Sequence, residues 1–113
     1  MRARRGFLYR ADLDPRAGTE PGKTRHVLVI QTDLLNEAGH PSAWVLPCTP
    51  RLTGENLLRV VLPPGIAGNR MECEVMIDQS RAIDNRRLVR RLKALPPSIL
   101  EEVVEKLRRL GEL

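Results

Sequence analysis

Gly18-Thr19-Glu20-Pro21-Gly22-Lys23-Thr24-Arg25 runs straight into His26-Val27-Leu28-Val29-Ile30, and the nature of that join decides the fold. With Ala17 in front, Gly22-Lys23-Thr24 comes close to a nucleotide-binding P-loop. That loop needs a glycine, four residues and Gly-Lys-Ser/Thr opening a helix, so that backbone N–H groups surround a phosphate. Here Ala17 stands in the first glycine position, Pro21 removes one N–H from the cradle, and Glu20 carries the wrong charge for a phosphate neighbour. Beyond the loop the chain is rich in β-branched residues, with no helical period and no cap. The stretch therefore reads as a cationic loop entering a buried strand, expected over His26 to Thr32.

Outward from that strand, the chain alternates short apolar runs with turn signals. Phe7 to Leu13 is expected as a strand ahead of the loop, and Asp33-Leu34-Leu35-Asn36 as a short helical turn. Gly39-His40-Pro41 breaks the chain before a strand at Ala43 to Pro47. Leu58 to Leu62 is a further strand stopped by Pro63-Pro64-Gly65, and Cys73 to Asp78 another after the turn at Gly68-Asn69-Arg70. Leu88 to Leu95 fits either a strand or a helix. After Pro96-Pro97, Ser98 and Glu101 have capping-box spacing. Ile99, Leu100, Val103, Val104, Leu107 and Leu110 then recur at steps of three and four, which predicts one apolar helix face. Short strands with one terminal helix predict an α+β fold that is mainly β, a small barrel with the helix packed on it.

The 113 residues are enough for one core, so a single domain over 1–113 is expected. Nineteen Lys and Arg against fourteen Asp and Glu leave a net charge of +5, which favours a polyanionic partner. The excess is concentrated. Arg2, Arg4, Arg5 and Arg10 occupy residues 1–10 without an acid, and Arg86, Arg87, Arg90, Arg91 and Lys93 occupy 85–93 in the same way. Each run reads either as a solvated face or as a phosphate-binding surface. In the terminal helix Glu101, Glu102 and Glu105 precede Lys106, Arg108 and Arg109, an order that suits the helix dipole and needs no ligand.

Cys48 and Cys73 lack CxxC spacing and read as free, buried thiols of a reducing compartment; a disulfide between them is geometrically allowed but not required. His26 and His40 have no accompanying carboxylate cluster, so no metal and no cofactor are expected. The apolar stretch Phe7-Leu8-Tyr9 ends at Arg10, too short for a secretory signal, and no run approaches a membrane span. A cytoplasmic location without membrane attachment is the expectation.

In order along the chain stand Arg5-Gly6 with Tyr9, Asp12-Leu13-Asp14-Pro15, Gly18-Thr19-Glu20 through Arg25, Val27 to Ile30, and Leu46-Pro47-Cys48-Thr49. Leu62-Pro63, Asp78-Gln79-Ser80-Arg81-Ala82-Ile83-Asp84 and Arg86-Arg87-Leu88 come next, then the final helix. In this order and spacing the chain resembles the MazF/PemK family of toxin endoribonucleases, SH3-like barrels of toxin–antitoxin pairs. The resemblance implies a sequence-specific cut in single-stranded RNA without metal, leaving a 2′,3′-cyclic phosphate and a 5′-hydroxyl and arresting translation. It also implies a homodimer and a cognate antitoxin whose extended acidic tail lies in the RNA groove. Arg25 and Thr49 are carried over as catalytic, with Glu20, Lys23, Thr24 and Gln79 binding RNA or supporting the site.

The chemistry suits those residue types. As a 2′-hydroxyl attacks phosphorus, charge builds on the non-bridging oxygens, and the forked N–H donors of a guanidinium match them. A threonine hydroxyl can donate to the same phosphate, and one such donor contributes about 2.7–4 kcal/mol in well-studied oxyanion sites. Arginine is a poor general base. His26 has a suitable pKa range, but neighbours on a strand point to opposite faces, so His26 is expected to turn away from a groove that holds Arg25. Taken singly, Arg25 also reads as an ion-pair partner of Glu20, Thr49 as an ordinary strand-end residue, and Gln79 as a group satisfying backbone in a bend. Phe7, where the family often has an acid, reads either as a change to the RNA rim or as local packing, and His26, where the family commonly has proline, is a second departure; neither touches Arg25 or Thr49. Phe7, Tyr9 and Trp44 are too few for a stacking platform and read as core or dimer-interface residues. A gyrase-poisoning toxin on the same barrel and a non-catalytic RNA-binding module are the alternatives; neither needs Arg25 together with Thr49.

Overall fold

The computed structural model describes residues 1–13 and 24–113. Strands β1 (Phe7–Asp12), β2 (Thr24–Val29), β3 (Ser42–Thr49), β4 (Arg59–Leu62), β5 (Cys73–Met76), β6 (Arg81–Asp84) and β7 (Leu88–Ala94) form one antiparallel sheet, with helices α1 (Asp33–Glu37) and α2 (Pro97–Gly111). The strand order is β4-β5-β3-β2-β1-β7, with β6 also pairing with β3. The expected mainly β architecture with a terminal helix is present. The sheet is not closed, however, since β4 and β7 do not pair with each other among the described residues, so "barrel" describes its curvature only.

The run Val27 to Ile30 is apolar at every position because the central strands are buried on both faces. Leu8, Leu28, Ile30, Leu46 and Cys48 belong to one core cluster, while Tyr9, Ala11, Val27, Val29 and Val45 belong to a second on the opposite face. The two-residue side-chain period of a strand sorts them. Helix α2 covers the first cluster with Val103, which is fully buried, and with Ile99, Leu100 and Leu107 packed against it. Burying a valine side chain contributes about 1.5–3 kcal/mol. Leu110 does not join the expected stripe and is exposed, because α2 is in its last turn there. Gly6, at φ +85°, lets the chain enter β1 close to Leu100, which a Cβ would meet at 3.2 Å.

Several element boundaries differ from expectation. The β2 strand starts at Thr24, two residues early, and Thr32 is the N-cap of α1, its hydroxyl accepting from the Leu34 N–H. The ambiguous segment at 88–95 is strand β7, and Met76 passes into a 3-10 turn at Ile77–Gln79 rather than continuing β5. The expected capping box does not form. Helix α2 begins at Pro97, with Pro96 as the cap and Ser98 inside the first turn. Proline at the first helical position has no N–H to satisfy and a preset φ, so no side-chain cap is required. No helix among the described residues is long and apolar enough to cross a membrane.

Candidate active-site groove

Where β1, β2, β3, β5 and β7 come together, the sheet leaves an open groove of about 920 Å³. Among the described residues, Arg10, Arg25, Arg70 and Arg90 line it, with Thr24, His26, Cys48, Pro50, Gly68, Cys73 and a single acid, Glu72, among the other wall residues. Cross-strand register builds the cationic wall: Arg10 stands opposite His26 on β2 and opposite Arg90 on β7. Like charges set side by side cost stability, so a row of this kind suits an anionic occupant. Arg70 arrives from the turn before β5, where Gly68, at φ +89°, lies so close to β7 that a Cβ would meet Leu92 at 3.2 Å.

The two basic runs divide by function once folded. In the first, the Arg5 N–H donates to Asp33 at 2.9 Å and its guanidinium donates to the Ile30 carbonyl, while Arg4 lies 4.9 Å from the Phe7 ring centroid. In the second, Arg86 pairs with Asp84, Arg87 donates to the Asp12 carbonyl, and Arg91 stacks over the same Phe7 ring. Only Arg10 and Arg90 enter the groove. None of the four groove arginines has a salt bridge among the described residues.

This fold has known counterparts. A family model described as the PemK-like, MazF-like toxin of type II toxin-antitoxin systems matches residues 4–111. The chain belongs to that family. It is similar to endoribonuclease EndoA of Bacillus subtilis, with 33% identity over 109 residues, covering 96% of this chain and 93% of that protein. Among solved structures it is similar to a MazE–MazF crystal structure from Deinococcus radiodurans, with a TM-score of 0.85, 28% identity, and 100% and 98% of the two chains covered. It also resembles MazF alone from that organism, with a TM-score of 0.79, 27% identity, and 100% and 99% covered.

In this MazF/PemK chain, Thr24 and Arg25 line the groove. Thr49 ends β3 between two lining residues, Cys48 and Pro50, without being one itself. The β2–β3 pairing runs Val27↔Pro47, Leu28↔Leu46 and Val29↔Val45; continued along the strands, it sets Arg25 level with Thr49 and His26 level with Cys48. The Thr49 hydroxyl accepts the Arg51 N–H at 3.1 Å, which leaves its own proton to donate. Gln79 is exposed in the 3-10 turn beyond the far end of β5 and is not brought to the groove. Glu20 and Lys23 lie outside the described residues, as does most of the loop that contains them.

His26 corrects an expectation. It lines the groove together with Arg25, although alternation sets their Cβ atoms on opposite faces. Cys73 lines the same wall. Of the aromatics, Tyr9 is buried with its hydroxyl donating to the Arg2 carbonyl, and Trp44 is 39% exposed.

Glu74 is the residue that sequence reasoning missed. It is 1% exposed and lies directly opposite Thr49 across β3 and β5. Its carboxylate accepts from the Thr53 N–H at 3.0 Å, the Gly54 N–H at 3.1 Å, the Thr53 hydroxyl at 3.1 Å and Arg59 Nη1 at 2.9 Å. Burial alone raises its pKa, but these donors together outweigh burial and hold it below the ordinary 4.5. The segment after Thr49 is thereby fastened to the sheet. The signal was a lone acid between Cys73 and Val75, in a strand otherwise read as apolar.

Proposed function

We propose that this chain, as one domain over residues 1–113, is the toxin of a type II toxin–antitoxin pair and acts as a metal-independent, sequence-specific endoribonuclease. It cuts single-stranded RNA to a 2′,3′-cyclic phosphate and a 5′-hydroxyl and so arrests translation until its antitoxin neutralises it. The observation that carries this reading is the groove itself, where, among the described residues, four arginines without ion pairs face one acid, in a chain similar to named endoribonucleases over nearly its whole length.

Arg25 places a guanidinium where charge develops on the phosphate oxygens, and the Thr49 hydroxyl donates from the neighbouring strand end. Arg10, Arg70 and Arg90 hold adjoining phosphates, and Glu74 keeps the Thr49–Gly54 segment in place. Glu20, Lys23 and Thr24 support RNA binding around this centre. The working form is a cytoplasmic homodimer, and the antitoxin places an extended acidic tail along the same cationic groove, in keeping with the MazE–MazF assembly of the Deinococcus relative.

The test is cleavage of a long unstructured RNA in EDTA with the new 5′ ends mapped. Wild type cuts at a short recurring motif, and Arg25→Ala or Thr49→Ala loses cutting while keeping its thermal transition. Undiminished cutting by both variants overturns the site, and failure of wild type on many RNAs overturns the activity.

A further inference from the structure

Three groove groups have no part in the phosphate chemistry. Cys48 on β3 and Cys73 on β5 line the groove with His26. Both cysteines are free, and they are 3% and 5% exposed. Register makes the two cysteines neighbours: Cys48 stands opposite Val75 and Thr49 opposite Glu74, so Cys73 is the diagonal partner of Cys48 on the same face. All three residues share the same groove wall. This set does not form a metal-holding cluster.

We propose that Cys73 is an oxidation site in the groove wall, that its reactant is a small hydroperoxide, and that Cys48 is the resolving thiol that closes a disulfide across β3 and β5. The polarity of the thiol pair supports the assignment. The neighbouring Cys48 thiol lowers Cys73 to about 6 and is itself raised; burial and the nearby Glu72 oppose ionisation of Cys73, and His26 favours it. Thiolate character with a second thiol alongside is the arrangement that directs oxidation to a particular cysteine. The low exposure admits a reagent the size of hydrogen peroxide and excludes bulky disulfides.

In the first step the Cys73 thiolate attacks one peroxide oxygen. An S–O bond forms, the O–O bond breaks, and the departing hydroxide takes a proton to become water, leaving a sulfenic acid. Cys48 sulfur then attacks Cys73 sulfur. The S–S bond forms, the S–O bond breaks, and hydroxide leaves with the Cys48 proton as a second water. Two thiols and one hydrogen peroxide thus give one disulfide and two waters, the sulfurs being oxidised and the peroxide reduced. The new bond draws together the strand end that precedes Thr49 and the wall beside His26. Its effect on RNA cutting rests on the function proposed above; the thiol chemistry does not.

The experiment treats the full-length protein with hydrogen peroxide and reads intact mass, alkylatable thiols and trapping by dimedone, alongside RNA cutting referred to each protein's own untreated rate. Wild type is expected to lose two hydrogens in mass, both free thiols and most of its cutting, all restored by dithiothreitol. Cys48→Ser is expected to carry a dimedone adduct at position 73 alone. Cys73→Ser, with Cys73→Ala as a second variant, is expected to trap no dimedone and to keep its relative cutting rate. Two free thiols in wild type after excess peroxide, or a dimedone adduct on Cys48 in Cys73→Ser, overturns the proposal. If wild type cuts no RNA, mass and adducts still decide the thiol chemistry, and the failure belongs to the activity.

Discussion

Cys73 and Glu74 are neighbours on β5, yet they face two regions that manage charge in opposite ways. On the Cys73 side lies the groove, where Arg10, Arg25, Arg70 and Arg90 stand without salt bridges among the described residues. On the Glu74 side a buried carboxylate has all its donors: Arg59, two backbone N–H groups and a hydroxyl. Helix α2 extends that second region, with Lys106 paired to Glu102 and donating to the Asn56 and Arg59 carbonyls, and Arg108 and Arg109 both paired to Glu105. Satisfied charge stabilises the protein; unsatisfied charge of one sign is kept for a ligand.

The largest effect should come from emptying the satisfied side. Glu74→Ala removes the acceptor of four donors and is expected to cost about 3 kcal/mol in chemical denaturation, as for a broken buried pair. RNA cutting should fall with it, because Thr49 loses the fastening of the segment after it. Acid probes the same residue. A carboxylate held below 4.5 in the folded state contributes stability that is fully present above that value and is lost as pH falls through the folded pKa. The gap in thermal transition between wild type and Glu74→Gln should therefore narrow on acidification; a gap constant with pH would break the contrast.

On the groove side the expected loss is in binding rather than stability. Arg10→Ala and Arg90→Ala should each weaken RNA binding and lower the slope of log affinity against log salt by about 0.7, one phosphate contact on a single strand. Their melting should be unchanged or slightly improved, since each relieves like-charge repulsion in the row across β1 and β7. The smallest effect belongs to the exposed helix pairs. Glu105→Gln should change stability by less than about 1 kcal/mol and leave the salt dependence of binding alone. A larger loss of binding in Glu105→Gln than in Arg90→Ala would reverse the division between the two regions.

Much of this was legible in the chain, for identifiable reasons. Val27 to Ile30 announced a doubly buried strand because only burial on both faces tolerates four successive aliphatic residues, and that strand removed the P-loop reading. The helix was legible through its three- and four-residue steps, though not its start, where Pro96-Pro97 supplied a cap that Ser98 did not. Strand β6, Arg81–Asp84, carries too few apolar residues to show a period, and β7 was ambiguous because Leu88-Val89-Arg90-Arg91-Leu92 fits either geometry.

The site divides along the same line. The sequence by itself determined a mainly β fold with a terminal helix, the family, and Arg25 and Thr49 as residue types suited to a phosphate, since these depend on local pattern and on motifs read in order. Only the tertiary structure decided which arginines of the two basic runs face the groove, that His26 stands in it beside Arg25, that Cys48 and Cys73 share its wall, and that Glu74 lies beneath the segment after Thr49. Each of these depends on register between strands far apart in the chain, and a one-residue slip in a strand's pairing would turn that strand's side chains to the opposite face.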